Sequence, residues 1–194
     1  MKKQYAILLL FFSIATYSQS IESLKTATKK LYTANYLMDF DAIVSYSYPK
    51  MVENVGKEKM LANVEKHYEN QEFRLREQLE TLAFQYGEIK KIEGKSFCVI
   101  TFRNPVRYLF ETKLTTETAA EKANWLKQIN KTKEVTFEPI RNSFNVRKTT
   151  TYLAIMDETT GRNWKFFNLD DASQLNSFQS LFDDKTKTSL DLSK

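Results

Sequence analysis

The sequence predicts an α+β fold in which N-terminal helices pack on a curved antiparallel sheet. Two observations carry this. Apolar residues recur at helical spacing as far as about residue 70, and from Phe73 onward the chain turns to short aromatic and β-branched runs punctuated by glycine. A sheet must bury one face, and the preceding helices are available to cover it.

Residues 1–18 read as an export signal that lies outside the fold. Lys2 and Lys3 make a basic start, Ala6 to Ala15 an apolar stretch, and Thr16 and Ser18 are small residues before a cut ahead of Gln19. That stretch is too short for a bilayer core, which needs about twenty residues. No cysteine follows the cut to take a lipid. The expectation is an exported protein, periplasmic or extracellular, without a membrane anchor. Removal leaves about 176 residues, enough for one domain with a real core, read as 19–183 with a polar, mobile tail over 184–194.

Ile21, Leu24, Ala27, Leu31, Ala34 and Met38 predict a first helix over about 20–37. Asp39 fits the N-cap of a short second helix, which Pro49 is expected to end. Gly56 opens a third helix, over about 57–70. Strand character then covers 74–86, 88–93 and 95–104, with an end or bulge expected at Asn104-Pro105 and Val106 to Glu111 as its continuation. Residues 115–131 break the pattern as a helical insertion, with Thr118 and Glu121 read as a capping box. Strands return at 134–140 and 146–156, a hairpin at 157–162 leads to a strand at 163–167, and a short helix closes 171–182.

The segment Asp39-Phe40-Asp41-Ala42-Ile43-Val44, the helix start Gly56-Lys57-Glu58-Lys59-Met60-Leu61 and the hairpin end Trp164-Lys165-Phe166 resemble the nuclear transport factor 2-like superfamily. That is the cone-shaped, cystatin-like α+β fold that includes SnoaL-like proteins. The resemblance covers most of 20–182. The insertion at 115–131 departs from it, as does the Pro-containing segment after the second helix, where many members have a first strand. It implies a fold and no particular activity, because this fold hosts enzymes and non-enzymes alike.

Composition narrows the chemistry. One His and one Cys argue against a zinc site, and four glycines with no clustered run leave no phosphate-binding loop. No serine sits in a nucleophile-elbow context. No cofactor is expected. The formal charge of +5, or +3 once Lys2 and Lys3 leave, is spread without a basic stripe, which speaks against a nucleic-acid partner. Cys98 lies in the apolar run Phe97-Cys98-Val99-Ile100 and is expected to be buried and inert.

The remaining candidates are few. His67 titrates near neutral pH without perturbation, but on a polar stretch of helix it reads first as a partly exposed surface residue. Asp39 and Asp41 stand where a helix start wants carboxylates, although in enzymes resembling this fold an acidic pocket residue serves as general base. Tyr36 and Phe102 are expected to wall a cavity between helices and sheet. Trp125 is read either as an interface anchor, for a partner or a second copy, or as packing of the insertion onto its own domain. The favoured function is an exported, non-catalytic binding or interaction protein, taking a small apolar or amphipathic ligand or a protein partner. The alternative is an isomerase- or dehydratase-type pocket enzyme with Asp39, Asp41 or His67 as base. A carboxylate or His67 facing an enclosed cavity is the observation that separates them.

Overall fold

The computed structural model describes residues 21–192; the export segment expected over 1–18 lies outside them. Helix α1 runs through 21–37 and buries Leu24, Thr28, Leu31 and Asn35, the spacing of one helical face. It stops at Met38, whose φ of 55° is left-handed, and the Asp39 amide closes back on the Ala34 carbonyl. Asp39 then caps α2 (Phe40–Tyr46), its carboxylate accepting from the Ala42 amide at 3.0 Å. Pro49 does more than end a helix: it opens α3 (Pro49–Val55), because a missing N–H costs nothing at a first helical position. Between the two, Ser47 bridges to Phe166 in parallel, where the resemblance leads one to expect a strand. Helix α4 (Lys57–Tyr68) follows Gly56, whose φ of 88° few other residues adopt.

The sheet is antiparallel, seven-stranded among the described residues, and not closed: β1 (Phe73–Glu77), β2 (Gln85–Tyr86), β3 (Lys90–Ile92), β4 (Lys95–Phe110), β5 (Val135–Glu138), β6 (Ser143–Met156) and β7 (Lys165–Asn168). Two long strands, β4 and β6, form its spine. Along the outer side of β4 run β1, β2 and β3 in turn, and along the outer side of β6 run β5 and β7. The sheet is therefore four ranks wide. Between β5 and β7, residues 147–151 of β6 have no strand beyond them, so the edge has a gap.

Strand β4 does not end or bulge at Asn104-Pro105; it passes straight through, with Pro105 in register opposite Arg147. The Pro105 carbonyl accepts from the Gln78 amide on the β1 side. Its missing N–H faces the Gln78 carbonyl, which accepts instead from Tyr32 Oη at 2.8 Å, so the one ladder bond Pro105 cannot make is replaced.

Alternation fixes which residues face inward. On the concave face, Cys98, Ile100, Phe102, Tyr152 and Ala154 pack on Leu24, Leu31 and Tyr32 of α1. At the other end of that face, Leu75, Val106, Tyr108, Phe144 and Val146 pack on Ile43, Tyr68, Ala119 and Leu126. On the outer face, Phe97, Leu153, Ile155 and Phe167 meet Tyr48, Met51, Phe178 and Leu190. Each fully buried Leu or Phe contributes about 1.5–3 kcal/mol.

The insertion is helix α5 (Thr116–Ile129), and its capping box is formed by Thr115 and Thr118 rather than Thr118 and Glu121. Asp171 caps α6 (Ala172–Leu181). The stretch read as a polar tail instead begins with helix α7 (Asp184–Ser189), capped by Asp183 and followed by the buried Leu190. Its cap, the buried Thr186 and Leu190, and Leu192 packed on the outer-face cluster dock it. No helix among the described residues is long and apolar enough to cross a membrane.

Candidate functional site

The two apolar clusters of the concave face are separated by a polar band. Asn104 and Lys148 stand opposite each other in the β4–β6 register, and Thr150 is opposite Phe102. Glu77, the last residue of β1, pairs with Val106 and so shares that face with Asn104. All four line a cavity of about 60 Å³ roofed by α1, α2 and α4 through residues such as Leu31, Asn35, Ile43, Val64, His67 and Tyr68.

Glu77 is the central group. Only 8% of it is exposed, its Oε1 accepts from Asn104 Nδ2 at 3.2 Å, and its Oε2 has no partner. Burial disfavours the charged form and pushes the carboxyl up to about 7, against the opposing pulls of the Asn104 hydrogen bond and the Lys148 cation. Asn104 is 2% exposed, and its Oδ1 is also unpartnered. The buried Thr150 hydroxyl stands near Asp170 but outside hydrogen-bond geometry. Elsewhere on the wall polar groups are satisfied: Tyr68 Oη donates to Asn35 Oδ1 at 2.7 Å, and Asn35 Nδ2 donates to the Leu31 carbonyl at 2.7 Å. The unmet hydrogen-bonding capacity is thus concentrated where β1, β4 and β6 meet.

Two residues stand at the mouth. Lys148 is half-buried and has no ion pair among the described residues. His67 keeps solvent exposure on α4 but is crowded enough that desolvation, with Lys148 nearby, lowers its pKa and favours the neutral imidazole. Its ring meets Tyr68 edge-on at 5.3 Å. Both His67 and Lys148 also line an outer groove of about 530 Å³ that includes Thr149 and Thr151 in the gap of the sheet edge, with Lys131 and Asp170 beside them.

The residues singled out from the sequence fare unevenly. His67 lines the cavity. Asp39 and Asp41 do not: the first is spent on capping α2, and the second is exposed with Lys57 at 3.3 Å. Tyr36 is half-buried and Phe102 is buried in the aromatic packing of Tyr32, Phe84 and Tyr152, so neither lines this cavity. Trp125 is half-buried against Phe73 and Tyr108, with Lys122 over its ring, which is packing of the insertion onto its own domain. Cys98 is buried as expected; its thiol lies 3.3 Å from the Gly87 carbonyl, and desolvation pushes its pKa up to about 11.

Glu77, Asn104 and Lys148 were missed. Their signal was parity: in Ser96-x-Cys98-x-Ile100-x-Phe102-x-Asn104-x-Val106-x-Tyr108, one polar amide interrupts an apolar face, and Lys148 does the same between Val146 and Tyr152. The remaining strand arginines, Arg74, Arg76, Arg103, Arg107 and Arg147, each pair with a glutamate. No group of three or more metal-ligating side chains occurs among the described residues. Compared with known proteins, the chain matches no protein-family model and no curated protein.

Proposed function

We propose that the protein binds a small molecule in the concave cavity and that Glu77 holds or exchanges a proton with it. One observation carries this reading: a buried carboxyl with a free oxygen, set in a cavity between two apolar clusters. Such a group is stable only if something meets it, and a ligand hydroxyl or amine does so at little cost. The nuclear transport factor 2-like resemblance belongs to the proposal, since helices roofing a curved sheet are what it implies. So does export, for which sequencing of the native protein should begin at or near Gln19.

A second reading, a proton-transfer enzyme of the isomerase or dehydratase kind, is favoured by the same burial, which pushes the Glu77 carboxyl up to about 7, close to where a general base works best. In that reading Glu77 takes the role first considered for Asp39 and Asp41, with His67 and Lys148 orienting the substrate. The test common to both is a thermal-shift screen of small polar and amphipathic metabolites on the wild type and on Glu77→Gln. Binding raises the melting temperature with ligand concentration, and Glu77→Gln is expected to weaken the hits about ten-fold or more. Hits indifferent to Glu77, or no hits at all, overturn the proposal; turnover of a hit separates enzyme from binder.

A further inference from the structure

We propose that the cavity's ligand is a small hydroxy acid, its hydroxyl meeting Glu77 and Asn104 inside and its carboxylate meeting Lys148 at the mouth. This rests on the reading of the cavity as a ligand site and adds the chemical class. Two independent observations define that class. Inside, the unmet groups are Glu77 Oε2, Asn104 Oδ1 and the Thr150 hydroxyl; a ligand hydroxyl meets them because its oxygen accepts from the protonated Glu77 carboxyl or from Thr150 while its proton goes to Asn104 Oδ1. At the mouth, Lys148 projects from the concave face opposite Asn104, half-buried, with no carboxylate within 4.0 Å among the described residues. A half-buried lysine without an ion pair gains from a ligand anion.

The dimensions fit. About 60 Å³ inside accepts a hydroxyl and a carbon or two, not a whole metabolite. The remainder of the molecule then extends past His67 and Lys148 into the groove of about 530 Å³ at the gap between β5 and β7. Other charges face the same mouth. Lys66 and Lys131 add positive charge and Asp170 and Asp171 negative, but Asp171 is engaged in capping α6. Asp170 is therefore the anion that competes for Lys148.

The test uses matched probes on the whole protein. Three- to six-carbon hydroxy acids are compared with their amides and with the acids lacking the hydroxyl, by thermal shift and calorimetry. The expected result is that hydroxy acids bind at least ten-fold more tightly than either control. Lys148→Met, which keeps the stem and removes the charge, should erase the preference for acid over amide. Should Lys148→Met fail to fold, Asp170→Asn serves instead and should tighten the acids several-fold. Amides that bind as well as acids, or an acid preference unchanged in the variant that folds, overturn the hydroxy-acid assignment while leaving the cavity reading in place. Absence of any binder of any charge contradicts the cavity reading itself.

Discussion

Because burial holds the Glu77 carboxyl at about 7 while its ordinary value is 4.5, folding takes up a proton between those two values. The contribution is complete below the unfolded value, is lost as pH rises towards 7, and then levels off, a change of roughly 3 kcal/mol at full extent. Glu77→Gln removes this dependence and keeps an amide that can still meet Asn104. Urea unfolding of both proteins from about pH 5 to pH 8 should show the variant gaining on the wild type by a few kcal/mol as pH rises. His67, whose folded pKa is lowered, imposes the opposite slope below its ordinary value, but it does so in both proteins and cancels in the difference. A difference that stays constant with pH would mean that Glu77 is not held as a neutral acid. Individual side chains were the least legible scale in the sequence. Asp39 was read correctly as a cap because capping depends on neighbours along the chain. Glu77 was passed over because its burial depends on Val106, Asn104 and α4, all distant in sequence.

At the scale of elements, periodicity and turn chemistry read well. The first helix, the helix after Gly56, the insertion and the closing helix all follow from local spacing and caps. The hairpin between β3 and β4 turns on Glu93 and Gly94, both at positive φ, as a two-residue connection requires. The departures share one cause: tertiary partners overrode a local signal. Pro105 looks like a strand end until Tyr32 Oη takes the Gln78 carbonyl that its missing N–H would have met. Likewise, α7 looks like tail until Leu190 finds the outer-face cluster. The junction of α3 with the β6–β7 turn rests on a contact no local rule reveals. Tyr48 Oη donates to Asp157 Oδ2 at 2.8 Å, and Thr159 Oγ1 and the Thr160 amide donate to Oδ1 at 2.7 and 3.0 Å. Burial alone would push the Asp157 carboxyl up, yet these hydrogen bonds hold it below its ordinary value. Tyr48→Phe should therefore cost about 1–3 kcal/mol, since it leaves a buried carboxylate short of one donor. Denaturant unfolding measures this directly, and unchanged stability would show that Asp157 does not depend on Tyr48.

At the scale of the whole molecule, the fold places its chemistry by leaving the concave face unfinished. Apolar clusters at both ends hold α1, α2, α4 and α5 on the sheet, so the polar band between them is kept open by packing on either side. The gap in the sheet edge between β5 and β7 gives that band an outlet past His67 and Lys148. The aromatic wall expected at Tyr36 and Phe102 was an inference from composition, and most of those rings serve the core. Binding of small molecules is expected in this band. Amide chemical-shift mapping by nuclear magnetic resonance, with hydroxy acids added to the native protein, tests it most directly. Concentration-dependent shifts centred on Glu77, Asn104, Lys148 and Thr150 are expected, and the Glu77→Gln variant should lose them at the same ligand concentration. Shifts confined to the paired arginines of the outer face, with the cavity residues unmoved, would contradict it.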